Sequence, residues 1–188
     1  MPTALIVEDE PEANQLLAML VRLRGFQTES AFTGEEALSK VGSARPDILF
    51  LDLMLPDTTG YDVCDSLKSR RATNGIPIVM VTARLADENR RKGFRLGANE
   101  YIPKPYTPDQ IFRAIADAEV WRKEIGARAN EGAFQLETDG DVAAFRQVSD
   151  LRALLLSRSK LDEERIGAVG RSLTDLIQRG LDWGRRRK

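Results

Sequence analysis

Apolar positions along the chain fall into short blocks that alternate between two periods. The run TALIV (3–7) is continuous and β-rich. It gives way to DEPEANQLLAMLVRLRG (9–25), where Leu16, Leu17, Leu20, Val21 and Leu23 recur at helical spacing and Gly25 supplies a stop. FQTESA (26–31) alternates like a strand. TGEEALSKVGSA (33–44) opens with Thr33 and carries Glu36 three residues on, the pattern of a capping box. DILFLDLMLP (47–56) is apolar at seven of its ten positions. The turn PDTTG (56–60) leads to YDVCDSLKSR (61–70), with an apolar face of Val63, Cys64 and Leu67. IPIVMVTA (76–83) predicts a fourth strand, DENRRKGFRLGA (87–98) a polar helix and EYIP (100–103) a fifth strand. TPDQIFRAIADAEVWRKEI (107–125) then begins with Thr107 as cap and Pro108 at the first helical position.

That order is five β/α units, a (βα)5 doubly wound α/β fold. Continuous apolar strands between helices predict a parallel sheet covered on both faces. Function in such sheets lies at the carboxyl ends of the strands. Glu8 and Asp9 follow strand one, Asp52 strand three, Thr82 closes strand four, and Lys104 follows strand five. Asp52 stands out, because carboxylates are rarely buried without a partner and its neighbours on both sides are apolar.

Composition narrows the chemistry. The chain has 188 residues, 42% hydrophobic and 30% charged, enough to bury a core. It has no histidine, which removes Ser-His and Cys-His catalytic pairs, phosphohistidine and histidine-ligated metals. Any metal must take oxygen ligands, favouring Mg²⁺ or Ca²⁺. A lone cysteine, Cys64, forms no intramolecular disulfide and fits a reducing cytoplasm. No apolar run approaches the roughly 20 residues of a membrane span, and the start, MPTALIVEDE, lacks the basic stretch of a signal peptide. A net charge of −1 gives no overall pull toward nucleic acid.

Glu8, Asp9 and Asp52 together would repel one another, and a hard divalent cation removes that repulsion. Lys104 adds a positive charge and Thr82 a hydroxyl. Such a set suits attack by a carboxylate oxygen on phosphorus, with the equatorial oxygens stabilised by metal, ammonium and hydroxyl. Singly, each has a plainer reading: the acidic pair as a helix cap, Thr82 as a turn residue, Lys104 as a solvated charge. Five suitable residues at the strand ends make coincidence a poor account.

The pieces LIVEDEP, PDILFLDLMLPDTTGYDVC, IPIVMVTAR and GANEYIPKPY, in this order, resemble the receiver domain of two-component response regulators, with its flavodoxin-like sheet. The resemblance spans residues 1–121. It implies that Asp52 is the phosphoacceptor, that Glu8, Asp9, Asp52 and the Met54 carbonyl bind Mg²⁺, and that Thr82 and Lys104 hold the phosphoryl group. Tyr101 would be the aromatic switch that follows Thr82 inward, and Lys104–Pro105 the family's cis peptide. A partner histidine kinase or phosphotransfer protein is the implied donor. The acidic pair is Glu-Asp in place of the family's commoner Asp-Asp, a tolerated variant. Other positions depart from the family's winged-helix transcription-factor class. Arg95 and Asn99 stand where that class has acids, and Ala114 and Ala116 where its fifth helix supplies arginine. These departures speak against that class's receiver dimer.

Residues 122–133 read as the end of the fifth helix and a small, polar linker, and 134–188 as a separate output region. FQLET (134–138) alternates like a strand. Two apolar stripes follow, through Val142, Phe145, Val148, Leu151, Leu154 and Leu155, then Ile166, Val169, Leu173, Leu176, Ile177 and Leu181. A strand and helical hairpin of this size must pack on something. The expected outcomes are a homodimer through these helices, another protein, or folding back onto the receiver, with Leu154, Leu155, Leu173, Leu176 and Trp183 the residues needing cover. The helices are too long for a helix-turn-helix reader, so nucleic acid is not an expected partner despite the basic RRRK tail. The arrangement also resembles the opening of the histidine-kinase-like ATPase fold. Its metal-holding asparagine is not evident in TDLIQRGLDWG, which would make this region a remnant without ATP hydrolysis.

Overall fold

The structure, a computed structural model, describes residues 1–83, 86–127 and 141–185. Five strands, β1 (Thr3–Val7), β2 (Gln27–Ala31), β3 (Ile48–Leu51), β4 (Ile78–Thr82) and β5 (Glu100–Pro103), form one parallel sheet in the order β2-β1-β3-β4-β5. Helices α1 (Pro11–Leu23), α2 (Gly34–Ala44), α3 (Gly60–Lys68), α4 (Asp87–Leu96) and α5 (Pro108–Ala127) connect and cover it. Helices α6 (Asp141–Arg158) and α7 (Glu163–Arg185) follow as a hairpin. The predicted strand 134–138, most of the predicted linker and residues 186–188 lie outside the described residues.

Strand parity builds two cores. Leu5, Val7, Leu49, Leu51, Ile78, Met80 and Tyr101 pack with residues of α2, α3 and α4 on one face. Ala4, Ile6, Ile48, Phe50, Val79, Val81 and Ile102 pack with α1 and α5 on the other. Every residue of β3 is buried, so apolar side chains are required at both parities and the run reads as continuous instead of alternating. Local chemistry sets the helix starts. Thr33 Oγ1 accepts from Glu36 N at 3.1 Å, while the Glu36 carboxylate reaches past the cap to accept from Phe32 N at 2.8 Å. Thr59 caps α3 through Asp62 N. Gly97 ends α4 in the left-handed region at φ 105°, where a side chain would be strained.

The α6–α7 hairpin folds back on the receiver. Phe145 is 1% exposed and belongs to the same core cluster as Phe94 and Tyr101, with Val142 and Ile177 packed against it. Leu154, Leu155 and Leu173 are half-buried. Leu176 and Val169 remain exposed on the outer face of α7. The stripes predicted to need cover are thus covered on one side only. Among the described residues no helix is long and apolar enough to cross a membrane.

Lys68, at the end of α3, is buried. Its ammonium donates to the carbonyls of Asn74 (3.2 Å) and Ile76 (2.8 Å) and to Asn99 Oδ1 (3.1 Å), and lies 4.7 Å from the Trp121 ring centre. Burial pushes it down to about 7; Cys64 and Asp150 oppose the shift and Arg152 adds to it. A base with a depressed folded value binds fewer protons folded than unfolded. Stability therefore rises with pH once pH exceeds about 7, toward the ordinary lysine value. Burial also raises the Cys64 thiol to about 12, which offsets the trend above the ordinary thiol value. Melting temperature should accordingly climb between neutral pH and about pH 8.5, the ordinary thiol value. Lys68→Met should flatten that climb, as read by thermal melts across the window. An unchanged slope would remove Lys68 as its source.

Candidate functional site

At the carboxyl end of the sheet the residues that follow β1, β3 and β5 meet, with β4 lying between the last two strands. Glu8 is 3% and Asp52 6% exposed. Backbone bonds from Glu8 N to Ala31 O (3.0 Å) and from Asp52 N to Val7 O (2.9 Å) continue the ladder past the strand ends. Lys104 N donates to Thr82 O at 2.8 Å, which brings the loop after β5 alongside β4. Its peptide to Pro105 is cis, as the resemblance implied. The ammonium of Lys104 donates to Asp52 Oδ2 at 2.6 Å and to Glu8 Oε2, bridging the two acids.

The electrostatics follow. Burial pushes the Glu8 carboxyl above the usual carboxylate range, against the pull of the Lys104 hydrogen bond and charge. Burial alone would lower the Lys104 ammonium, but its bonds and charge contacts with Asp52 and Glu8 outweigh that and hold it above its ordinary value. Asp52 Oδ1 accepts from Met54 N at 3.1 Å. Thr82 is fully buried at the end of β4. Tyr101 is buried beside Met80, its partner in the β4–β5 register. Asp9 and Met54 are exposed.

The structure thus joins Glu8, Asp52 and Lys104 directly and sets Thr82 on the neighbouring strand end. It does not draw Asp9 into the same cluster, and among the described residues no group of three or more metal-ligating side chains is preassembled. A lysine ammonium bridges the two buried carboxylates instead. Receiver domains as a class bind Mg²⁺ at this acidic site. The side chains here are oxygen donors of the kind that ion takes, and the two buried carboxylates already converge on one cation.

Several supporting residues escaped the sequence reading. Asn14, buried in the first turn of α1, donates to the carbonyls of Ile6 (3.3 Å) and Glu8 (3.2 Å) and accepts from Ser30 Oγ at 2.6 Å. Asp57 in the loop after β3 caps α2 from outside, accepting from Gly34 N (2.8 Å) and Glu35 N (2.9 Å). These bonds hold its carboxyl below the usual range. Gly60 is required by close approach: a Cβ there would lie 2.1 Å from the carbonyl oxygen of Asp52. An asparagine or aspartate near a helix start normally reads as a local cap, and nothing in the sequence shows which distant backbone it serves.

The fold and this strand-end site define a receiver. The model of the response regulator receiver domain matches residues 4–116. The chain belongs to that family and is a two-component signalling protein. It is 40% identical over 115 residues to the sensory transduction protein RegX3 of Mycobacterium tuberculosis, covering 61% of this chain and 49% of that protein. It is 40% identical over 111 residues to the DNA-binding response regulator MtrA of Mycolicibacterium smegmatis, covering 59% and 47%. Among solved structures, a response regulator from Chloroflexus aurantiacus aligns with a TM-score of 0.61 at 32% identity, covering 64% of this chain and 99% of that one. The chain spans about half the length of the curated relatives it matches. The family match stops before the end of α5, so α6 and α7 lie beyond it.

Removing the bridge should expose its strength. Lys104→Met leaves two buried carboxylates facing each other with no cation. Breaking such an ion pair from one side costs about 3–5 kcal/mol when fully buried, and less here because Lys104 is partly exposed. Urea unfolding without divalent metal should show a loss of about 1–3 kcal/mol. A variant as stable as the parent would show that the bridge does not hold the site.

Proposed function

We propose that this protein is a phosphorylation-controlled response regulator whose acceptor is Asp52 and whose donor is a partner histidine kinase or phosphotransfer protein. The observation that carries it is the convergence of buried Glu8 and Asp52 on the Lys104 ammonium, at the carboxyl end of a parallel sheet. A carboxylate oxygen of Asp52 attacks phosphorus. The bond from phosphorus to the donor's nitrogen, or to the oxygen of a small acyl phosphate, breaks, and the leaving group keeps the electron pair. Lys104, already bonded to Asp52, neutralises charge on the transferred group. Thr82 donates its hydroxyl to it, and Tyr101 follows Thr82. Glu8, Asp9, Asp52 and the Met54 carbonyl are the residues that would hold Mg²⁺, which when bound supplies charge neutralisation at the same oxygens. No separate catalytic domain is part of this reading.

The assignment divides the chain into a receiver (1–121), the end of α5 with a linker (122–133) and an output region (134–188). Output runs through protein contacts of the α6–α7 hairpin. A homodimer through the exposed outer face of α7, with Val169 and Leu176, is the form of association this reading favours. The compartment is the cytoplasm, consistent with one buried, unpaired thiol. The name of MtrA describes DNA binding by that protein, and its match to this chain spans about half its length. The segment that follows the receiver here is a pair of long helices that fold back on it.

With Mg²⁺ and acetyl phosphate the protein should gain one phosphoryl group, and Asp52→Asn should abolish it, read by intact-protein mass. Labelling that persists in that variant would sink the assignment. Millimolar Mg²⁺ should also raise the melting temperature, because a ligand bound only by the folded chain stabilises it. Replacing Glu8 and Asp9 together by Ala should remove the rise; a rise that survives would place the metal elsewhere.

A further inference from the structure

Between β5, α5 and α6 the hairpin does not close fully on the receiver, and a cavity of about 160 Å³ lies there. Its apolar lining is small: Val79 of β4, Ala98 before β5, and Ala114 and Ala118 one turn apart on α5. Three of those four side chains are single methyl groups, which leaves room beneath α6. Trp121 forms a wall, and its indole N–H donates to Asp150 of α6 at 2.7 Å. α6 is fixed over this space by bonds to the receiver. Arg152 donates to the Leu96 carbonyl at 2.6 Å, and Arg71 donates to the carbonyls of Ser159 (2.9 Å) and Leu161 (2.7 Å) at the elbow between α6 and α7. The cavity is thus preformed, and a ligand entering it orders little else.

The polar lining is unevenly satisfied. Glu100 accepts from Arg146 Nη2 at 3.0 Å and from the backbone N–H of Tyr101 at 2.9 Å. Arg146 also carries an Nε–H that is buried and meets no acceptor among the described residues. Buried donors are nearly always paired, so this one calls for an oxygen from outside the chain. On α5 the exposed Asp117 carboxylate, at the mouth, forms no hydrogen bond or ion pair among the described residues. Three carboxylates, Glu100, Asp117 and Asp150, line the cavity with one guanidinium, Arg146, so negative charge is in excess. Lys68 lies against the Trp121 ring but is spent on its own three acceptors.

We propose that this cavity is a binding site for a small aliphatic ammonium compound carrying an oxygen acceptor, of the size and chemistry of a short amino acid or amino alcohol. Asp117 receives the ammonium, the Arg146 Nε–H donates to the oxygen, and the alanine methyls and the Trp121 ring cover the carbon chain. A cavity of about 150 Å³ takes one benzene ring, so a compound of roughly five to eight heavy atoms fits. The excess of carboxylates rejects simple anions. The site is lined from the early residues of β4 and β5, whereas Asp52 and Lys104 lie at the carboxyl end of the sheet, so the inference does not rest on the function proposed above. A ligand here touches α5 and α6 at once and fastens the hairpin to the receiver.

The test uses the full chain with its tryptophan indoles labelled with ¹⁵N. There are two tryptophans, and Trp183→Phe assigns the signal of Trp121. The probes are valine, 2-aminopropanol, butylamine and butyrate. At least one of valine and 2-aminopropanol should shift the Trp121 indole signal saturably below about 10 mM. Butylamine, without the oxygen, should bind about tenfold more weakly, and butyrate, without the ammonium, should give no shift. Asp117→Asn should weaken binding by about tenfold or more, and because Asp117 is exposed the fold should be kept. Ala118→Leu, which fills the cavity, should abolish binding; if that variant fails to fold, Asp117→Asn carries the test. At saturation, amide exchange in α6 should slow by about fivefold or more. No saturable shift from either oxygen-bearing amine would mean that the cavity holds water alone, and would overturn the proposal. Butyrate binding as tightly as the amines, or unchanged affinity in Asp117→Asn, would overturn the recognition of an ammonium group. A shift without slower exchange in α6 would place the ligand away from the α5–α6 junction and overturn the site.

Discussion

Everything at the sheet's functional end depends on one ammonium group shared by two buried carboxylates. Desolvated acids are tolerated only with a compensating charge. Lys104 supplies it from the loop after β5, while the acids come from β1 and β3. Three strand ends must therefore stay in register to within a fraction of an ångström for the bridge to form. One cation between two acids also leaves the cluster short of positive charge. That shortfall suits the site to a divalent cation, and under the proposed function a transferred phosphoryl group would give Lys104 an anion to hold.

The frame around the bridge is built from bonds that span the fold. Asn14 ties α1 to the Glu8 carbonyl and to Ser30 of β2. Asp57 ties the loop after β3 to the start of α2. Gly60 lets α3 begin against the Asp52 carbonyl. Each fixes backbone, not the reacting groups themselves. Rigid backbone at strand ends, with long side chains reaching between them, allows the cluster to be both buried and responsive.

Legibility in the sequence followed the range of the interaction. Strands, helix starts and the strand-end residues were readable because period, capping and the order of elements are local properties. Thr33 and Thr59 cap as their surroundings indicate. Neighbours at a strand end sit on opposite sides of the backbone, so the difference between buried Glu8 and exposed Asp9 depends on what each side packs against. Lys68 closes a helix whose last turn normally welcomes a solvated cation. Its burial depends on Trp121, far along the chain and brought near only by the sheet's topology. Arg71 reads as an ordinary surface charge, because its acceptors belong to the elbow of the hairpin.

The hairpin shows why its docking face was not readable from its stripes. α6 has apolar or half-buried positions on nearly every side, because it lies between α4, α5 and α7. α7 is amphipathic in the ordinary way, with one face on α6 and the other in solvent. A helix with buried or half-buried positions on several sides needs several neighbours, and one in a two-helix segment must find the rest of them elsewhere. Phe145 finds them inside the receiver's own cluster. The two parts therefore share a core, and the packing that anchors α6 is the packing that sets Tyr101. A change at either end of that cluster has to be accommodated by the other, since both pack into the same side chains.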